Sequence, residues 1–108
     1  MSKYRLPPLD LFQTFEAVAR RRSFTLAADE LCRTQSAVSR QIKTLEEALG
    51  LPLFRRLHRA IEPTAEGQRL FESVTRGLDD ISACLAALGA SAKAPQITVS
   101  ASVAFIWF

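Results

Sequence analysis

The chain has 108 residues, enough for one small domain with a modest core plus an appendage. Its 48% hydrophobic content excludes intrinsic disorder for most of the length. The formal net charge of +3 is unevenly spread: residues 1–59 hold eleven Lys or Arg against six Asp or Glu, a net of +5, and residues 60–108 hold three against five, a net of −2. A basic first half suits a polyanionic partner, and the second half does not.

No apolar run reaches the ~18 residues of a membrane span, and the N-terminus lacks the apolar core of a signal peptide, so a cytoplasmic location is expected. Cys32 and Cys84 belong to no CxxC and no Cys/His cluster. They read as small buried hydrophobes in a reducing compartment rather than as redox or metal groups.

Pro7-Pro8 ends an extended, basic leader. Leu11, Phe12, Phe15, Val18 and Ala19 then mark one face of a helix over about residues 9–21. Arg20-Arg21-Arg22 closes it, where cations complement the helix dipole; the triplet reads either as a solvated helix end or as a phosphate contact. In Ser23-Phe24-Thr25 a hydroxyl precedes the next helical pattern. Thr25 is expected to cap a short helix running to about Cys32, with Ala27, Ala28 and Leu31 facing inward. The two alanines let helices cross closely. Phe24 reads as a core plug, since one isolated aromatic is weak evidence for base stacking.

Arg33-Thr34 forms a turn, and a third helix covers about 35–49. Val38, Ile42, Leu45 and Leu49 recur at spacings of four, three and four and make one apolar stripe. Ser36, Ser39, Arg40 and Lys43 fall on another face, with Gln35 at the helix entrance. Small hydroxyls, an amide and two cations have no use in a core; they are groups that reach phosphates and base edges in a DNA major groove. Glu46-Glu47 confines the cationic face to the first half of the helix, and Gly50 suits a left-handed residue just past its end.

Leu51-Pro52-Leu53-Phe54 is apolar and carries a helix-stopping proline. Arg55 to Pro63 reads as two short extended segments around a turn near His58, a small β-ribbon with Arg55, Arg56 and Arg59 near its tip. Beside a recognition helix, three arginines point to phosphate or minor-groove contact rather than a merely solvated loop. His58 is the only histidine and is assigned no metal or catalytic role.

Thr64 is expected to cap the longest helix, with Glu66 in its first turn. Phe71, Val74, Leu78, Ile81, Leu85 and Leu88 follow at spacings of three, four, three, four and three, a strict heptad seam. A helix with one narrow seam needs a partner, and a second copy of the chain is the simplest; the other reading is that the seam covers this chain's own core. Gly77 inside the helix marks a bend or a close contact. Gly89 to Pro95 is rich in Ala, Ser and Gly with one Lys, and residues 90–95 look like a hinge. Residues 96–103 alternate and read as a strand. With the apolar run 104–108 behind it, the strand is expected to be the cut-short start of a second domain.

In this order the motifs resemble the N-terminal part of a LysR-type transcriptional regulator. The resemblance rests on Phe15-Glu16-Ala17-Val18-Ala19, on Ser23-Phe24-Thr25-x-Ala27-Ala28-x-x-Leu31, and on Thr34-Gln35-Ser36-Ala37-Val38-Ser39-Arg40-Gln41-Ile42-x-x-Leu45-Glu46. Leu49-Gly50-x-x-Leu53-Phe54-x-Arg56 and Pro63-Thr64-x-x-Gly67 continue it, so that it covers about residues 6–88. Pro7-Pro8-Leu9 is similar to the opening of the subgroup of glycine-cleavage and β-lactamase activators.

The resemblance implies a mainly α fold: a winged helix-turn-helix, that is a three-helix core plus a short two-stranded wing, followed by a long dimerisation helix. The implied organisation is a DNA-binding domain over 1–63, a linker helix over 64–89, a hinge over 90–95 and the start of an effector-binding domain over 96–108. It implies base readout by Gln35, Ser36, Ser39 and Arg40. Thr25 and Lys43 would hold phosphates, Arg59 would reach a minor groove, and Ser100 and Ser102 would help bind a small-molecule effector in the intact protein. Two positions depart from the family pattern. Arg33 stands where an apolar residue is usual, so it either snorkels or touches a phosphate. Leu57-His58 replaces a commoner Gly- or Arg-rich wing tip.

The expected function is sequence-specific regulation of transcription by a homodimer on a pseudo-palindromic duplex operator. Higher oligomers of the intact protein, contact with RNA polymerase and association with the nucleoid are further expectations. No cofactor is expected in this fragment. An enzyme is disfavoured by the single histidine and by the lack of a nucleophile–base pair, a metal cluster or a phosphate-binding glycine loop. RNA binding is disfavoured because the basic face carries no aromatic platform. A non-DNA interaction module built on the long helix is the remaining rival.

Overall fold

Pro8 cannot donate a backbone hydrogen bond and keeps Pro7 out of the helical region, so the first helix starts immediately after it. In the computed structural model, which describes residues 3–91, α1 spans Leu9–Arg21. It opens on a bond from Leu11 N–H to the Pro8 carbonyl (3.1 Å). Asp10 in the first turn and Arg20 and Arg21 in the last complement its dipole. Arg22 ends it in the left-handed conformation (φ 52°), its N–H bonded to the Val18 carbonyl.

Helix α2 (Phe24–Leu31) is capped by Ser23, whose Oγ accepts from Leu26 N–H at 3.0 Å. This corrects the expectation that Thr25 caps it. Ser23 has the extended backbone a cap needs (φ −161°), and Thr25 already lies inside the first turn. The helix stops at Cys32, also left-handed (φ 56°). Helix α3 (Gln35–Leu49) is capped by Thr34, which accepts from Ala37 N–H at 3.1 Å, and it ends on left-handed Gly50 (φ 75°). Val38, Ile42 and Leu45 are 0%, 3% and 0% exposed, as the stripe predicts, but Leu49 is 37% exposed. The stripe therefore leaves the core one turn before the helix ends.

Strands β1 (Phe54–Leu57) and β2 (Ala60–Pro63) pair antiparallel, with Phe54 opposite Pro63, Arg55 opposite Glu62, Arg56 opposite Ile61 and Leu57 opposite Ala60. His58 and Arg59 make the turn, Arg59 at φ 66°. Helix α4 (Ala65–Ser91) follows, with Thr64 Oγ1 accepting from Gly67 N–H (3.0 Å) and donating to the Pro52 carbonyl (2.9 Å).

The chain divides into two compact units, Met1–Thr75 and Arg76–Phe108. In the first, α1, α2 and α3 enclose a core centred on Phe15, Val18, Ala27, Val38, Leu45 and Leu53, all 1% exposed or less. Phe54 stacks at a tilt on Phe15 (5.5 Å between centroids) and meets Phe24 edge-on (6.4 Å), which joins the ribbon to the helices. Phe24 is buried, as a core plug should be. The loop before β1 is held by Glu46, whose Oε2 accepts from the N–H groups of Leu53 (2.7 Å) and Phe54 (3.3 Å). A Cβ on Gly67 would lie 2.1 Å from the Leu53 carbonyl oxygen, so only glycine lets α4 begin this close to the loop.

Phe71 and Val74, expected at the head of a dimer seam, pack half-buried against this core. The reading that the seam covers the chain's own core is right for those two positions. In the second unit Leu78 is half-buried, while Ile81, Leu85 and Leu88 are 49%, 60% and 59% exposed. A Cβ at Gly77 would meet nothing within 4 Å, which removes a close contact within the chain as the reason for this glycine. Helix α4 runs on through Ala90 and Ser91, where a hinge was expected; Gly89 alone costs about 1 kcal/mol and does not stop an Ala- and Leu-rich helix. Both cysteines are exposed, which corrects the expectation of buried thiols: Cys32 sits at a helix end and Cys84 on the uncovered part of α4. The expected strand over 96–103, with Ser100 and Ser102, lies outside the described residues.

Candidate nucleic-acid interface

The burial of Val38, Ile42 and Leu45 fixes which side of α3 faces out. Gln35, Ser36, Arg40 and Lys43 are exposed on that side, with Ser39 half-buried among them. No acidic residue interrupts this stretch before Glu46. Among the described residues Arg40 and Lys43 have no intramolecular partner. Their charge is uncompensated, and both can exchange water for an external anion without breaking an internal bond.

Gln35 is pre-set. Thr25 donates its hydroxyl hydrogen to Gln35 Oε1 at 3.1 Å, which ties the start of α3 to α2. Thr25, expected to help hold a phosphate, here commits its one hydroxyl hydrogen to Gln35. The Gln35 Nε2 hydrogens remain available, and Oε1 keeps a second lone pair. Ser36 Oγ lies 3.3 Å from Thr34 Oγ1.

Arg33, expected either to snorkel or to touch a phosphate, is exposed but bonded within the chain. Its Nη1 donates to Thr14 Oγ1 and to Gln41 Oε1, both at 2.8 Å, and Thr14 in turn donates to Gln41 Oε1 at 2.9 Å. Thr14 is fully buried on α1, so a polar hydroxyl in that wall needs these partners. The three residues pin α3 to α1. The signal for this was present but unused: Thr14 interrupts the apolar face three residues after Leu11 and four before Val18.

The ribbon arginines separate by role. Arg55, expected near the tip, sits in β1 and donates to the cross-strand Glu62 at 2.8 Å. Arg56 also lies in the strand, its guanidinium 4.8 Å from the centre of the Phe24 ring. Arg59 alone of the three occupies the turn. The triplet that closes α1 is divided in the same way. Arg20 bonds to Glu16 and Glu30, and Arg21 to Glu30 (3.0 Å). The hydrogen bonds that Arg20 donates to Glu16 first, and then to Glu30, raise the Arg20 pKa; the hydrogen bond from Arg20 holds the Glu30 carboxyl below the usual carboxylate range. The pairs to Glu30 join α1 to α2, and the pair to Glu16 lies within α1. Arg22 has no intramolecular partner among the described residues.

A groove of about 310 Å³ runs between the starts of α2 and α3 and the ribbon. Arg22, Ser23, Phe24, Gln35, Arg56 and Arg59 are among its walls, and no acidic residue lines it. Sequence reasoning did not single out Arg22 from its triplet; only the fold distinguishes it from Arg20 and Arg21. Among the described residues no group of three His, Cys, Asp or Glu could hold a metal ion, and no helix is long and apolar enough to cross a membrane.

The family model for bacterial regulatory helix-turn-helix proteins of the lysR family matches residues 9–68. The chain is 47% identical over 100 residues to the glycine cleavage system transcriptional activator of Escherichia coli K12, covering 93% of this chain and 32% of that protein. It is 50% identical over 78 residues to the HTH-type transcriptional activator AmpR of Pseudomonas aeruginosa, covering 72% of this chain and 26% of that protein. The chain thus spans about a third or less of these curated relatives. Among solved structures, the BenM DNA-binding domain in complex with benA site 1 DNA superposes with a TM-score of 0.73 at 34% identity, over 82% of this chain and 99% of that one. The complex of the CbnR DNA-binding domain with DNA gives a TM-score of 0.69 at 32% identity, over 80% and 99%.

Proposed function

The chain belongs to the lysR family of bacterial regulatory helix-turn-helix proteins, and from that premise we infer that it carries the operator-reading part of a transcription regulator. The observation that carries this reading is the two-sided α3: a buried stripe of Val38, Ile42 and Leu45 behind an exposed face of Gln35, Ser36, Arg40 and Lys43 whose cations have no internal partner. The solved complexes with DNA support it at the level of the fold.

In this reading α3 enters a major groove. Arg40 makes a bidentate contact to guanine, Gln35 to adenine, and Ser36 and Ser39 complete the base contacts. Lys43 neutralises a phosphate, and Arg59 at the turn of the ribbon reaches the neighbouring minor groove. Leu78, Ile81, Leu85 and Leu88 pair with a second copy, since apolar side chains at heptad spacing, the last three of them exposed, are stabilised by mutual burial. Two copies then read a pseudo-palindrome with half-sites about one helical turn apart or a multiple of it. The intact protein would answer to a small-molecule effector through a domain beginning after the linker helix, with Ser100 and Ser102 near that site, and would act on RNA polymerase from the nucleoid.

The test is selection of bound duplexes from a random library, followed by footprinting. The expected outcome is an enriched, two-fold-related pair of half-sites. Arg40→Ala should then cost about 1–3 kcal/mol and relax one position in each half-site. Absence of salt-dependent binding to any duplex would sink the reading and favour an interaction module built on α4.

A further inference from the structure

We propose that Glu46 is a positioning residue for DNA reading: from the last turn of α3 it holds the ribbon in register with the recognition face, through the N–H groups of Leu53 and Phe54. The proposal rests on the DNA-binding reading above and concerns a side chain that meets no DNA in it.

The placement of Glu46 runs against the local preference of its helix. A carboxylate in the last turn opposes the helix dipole. Among the described residues it makes no ion pair that would offset this. Its Oε2 instead accepts from Leu53 N–H at 2.7 Å and from Phe54 N–H at 3.3 Å, both charge-assisted bonds.

Those bonds are the directional link between helix and ribbon. Phe54 and Ile61 anchor the ribbon by apolar packing and Arg56 by stacking on Phe24. Apolar packing is non-directional, so it sets how close the ribbon lies to the core better than it sets register. Among the described residues no other side chain of α1, α2 or α3 hydrogen-bonds to the ribbon or to the loop leading into it. The loop is also held from its far side. The Leu53 carbonyl accepts from Thr64 N–H at 2.9 Å, and Thr64 Oγ1 donates to the Pro52 carbonyl at 2.9 Å. The start of β1 is thereby referred to α3 itself. Glu46 follows Arg40 on the same helix, and Arg59 follows Phe54 along the same hairpin. The two elements assigned to base and minor-groove contact thus share one hydrogen-bonded reference point.

A double-variant cycle separates positioning from mere support of the fold. Wild type, Glu46→Ala, Arg59→Ala and the double variant are titrated with a duplex that the wild-type chain enriches from a random library. The temperature is one at which circular dichroism shows every variant folded. Each single variant should weaken binding about tenfold, and the double variant about tenfold as well, where independent sites would give about a hundredfold. Glu46→Gln, whose amide oxygen can still accept from both N–H groups, should bind within about twofold of wild type. Losses that multiply in the double variant, or a loss in Glu46→Gln as large as in Glu46→Ala, overturn the positioning role while the operator reading stands. Wild-type affinity in Arg59→Ala removes the ribbon contact and the positioning role with it. No salt-dependent duplex binding by the wild-type chain overturns the operator reading itself, and this proposal with it. If Glu46→Ala does not fold, Glu46→Asp, a methylene too short to bond both N–H groups, takes its place in the cycle under the same criteria.

Discussion

Thr25 on α2 donates a hydrogen bond to Gln35 Oε1, the side chain at the entrance of α3, across 3.1 Å. The bond joins the two halves of the helix-turn-helix at the entrance of α3. It fixes which end of the amide faces α2 and leaves Nε2 as the outward donor. Thr25→Val keeps the shape and removes the hydrogen. Because both residues are exposed, the stability cost should be small, about 0.5 kcal/mol. Discrimination at the base read by Gln35 should fall, with little change at other positions. Binding to a panel of single-base operator variants checks this; an unchanged preference at every position would show that Thr25 does not orient Gln35.

Arg33 gives the opposite balance. Its Nη1 is committed to Thr14 and Gln41, so the residue belongs to the packing of α3 on α1. Arg33→Met should lower stability by about 1–2 kcal/mol, because the buried Thr14 hydroxyl loses a charged donor. The salt slope of duplex binding should change far less than in Lys43→Ala, which removes an unpartnered cation from the exposed face. Denaturant unfolding and the two salt titrations separate the cases. A full unit of slope lost with Arg33 would restore it to the phosphate contacts.

What the sequence disclosed follows from periodicity and caps. The apolar repeats of α1 and α3, the Thr34 and Thr64 caps and the Gly50 terminator lie where local chemistry places them, and the exposed face of α3 emerged because hydroxyls and cations have no use in a core. What stayed hidden depends on residues distant in sequence. Arg33 reaches Thr14 nineteen positions away, and Arg56 finds Phe24 only because the ribbon folds back on α2. Arg20, Arg21 and Arg22 are equivalent as a string; Glu16 and Glu30 neutralise the first two, and the left-handed turn directs the third elsewhere. The exposure of Leu49 was hidden for the same reason: a stripe predicts a face, and the neighbouring elements decide how far that face is covered.

Two glycines of α4, Gly67 and Gly77, should respond in opposite ways to the same methyl group. Gly67→Ala places a Cβ 2.1 Å from the Leu53 carbonyl oxygen, a backbone atom that moves only if the loop moves. The loop is held by Glu46 and by Thr64 N–H on Leu53 O (2.9 Å), so a loss of about 2–3 kcal/mol is expected. Gly77→Ala meets nothing within 4 Å and should gain about 1 kcal/mol from helix propensity. Chemical denaturation of the two variants checks the pair. Destabilisation by Gly77→Ala would place a second chain against that position.

Glu30 carries the chain's acid response at the α1–α2 contact. Its folded pKa is lowered, first by the hydrogen bond from Arg20, while Arg20 stays protonated throughout the accessible range because its own pKa is raised. A carboxyl with a depressed folded pKa contributes stability above its unfolded value, roughly 4.3, and loses it as pH falls through the folded value. The side chain is 32% exposed, so solvent screening limits the contribution to about 1 kcal/mol. Glu30→Gln should therefore be less stable than wild type at neutral pH by about that amount. The gap should narrow as pH falls through the lowered folded value and Glu30 itself takes up a proton, and it should also shrink with added salt. Urea unfolding of both chains across that pH window reads the difference directly. A gap that persists undiminished at low pH would mean that the glutamate acts through packing rather than through its charge.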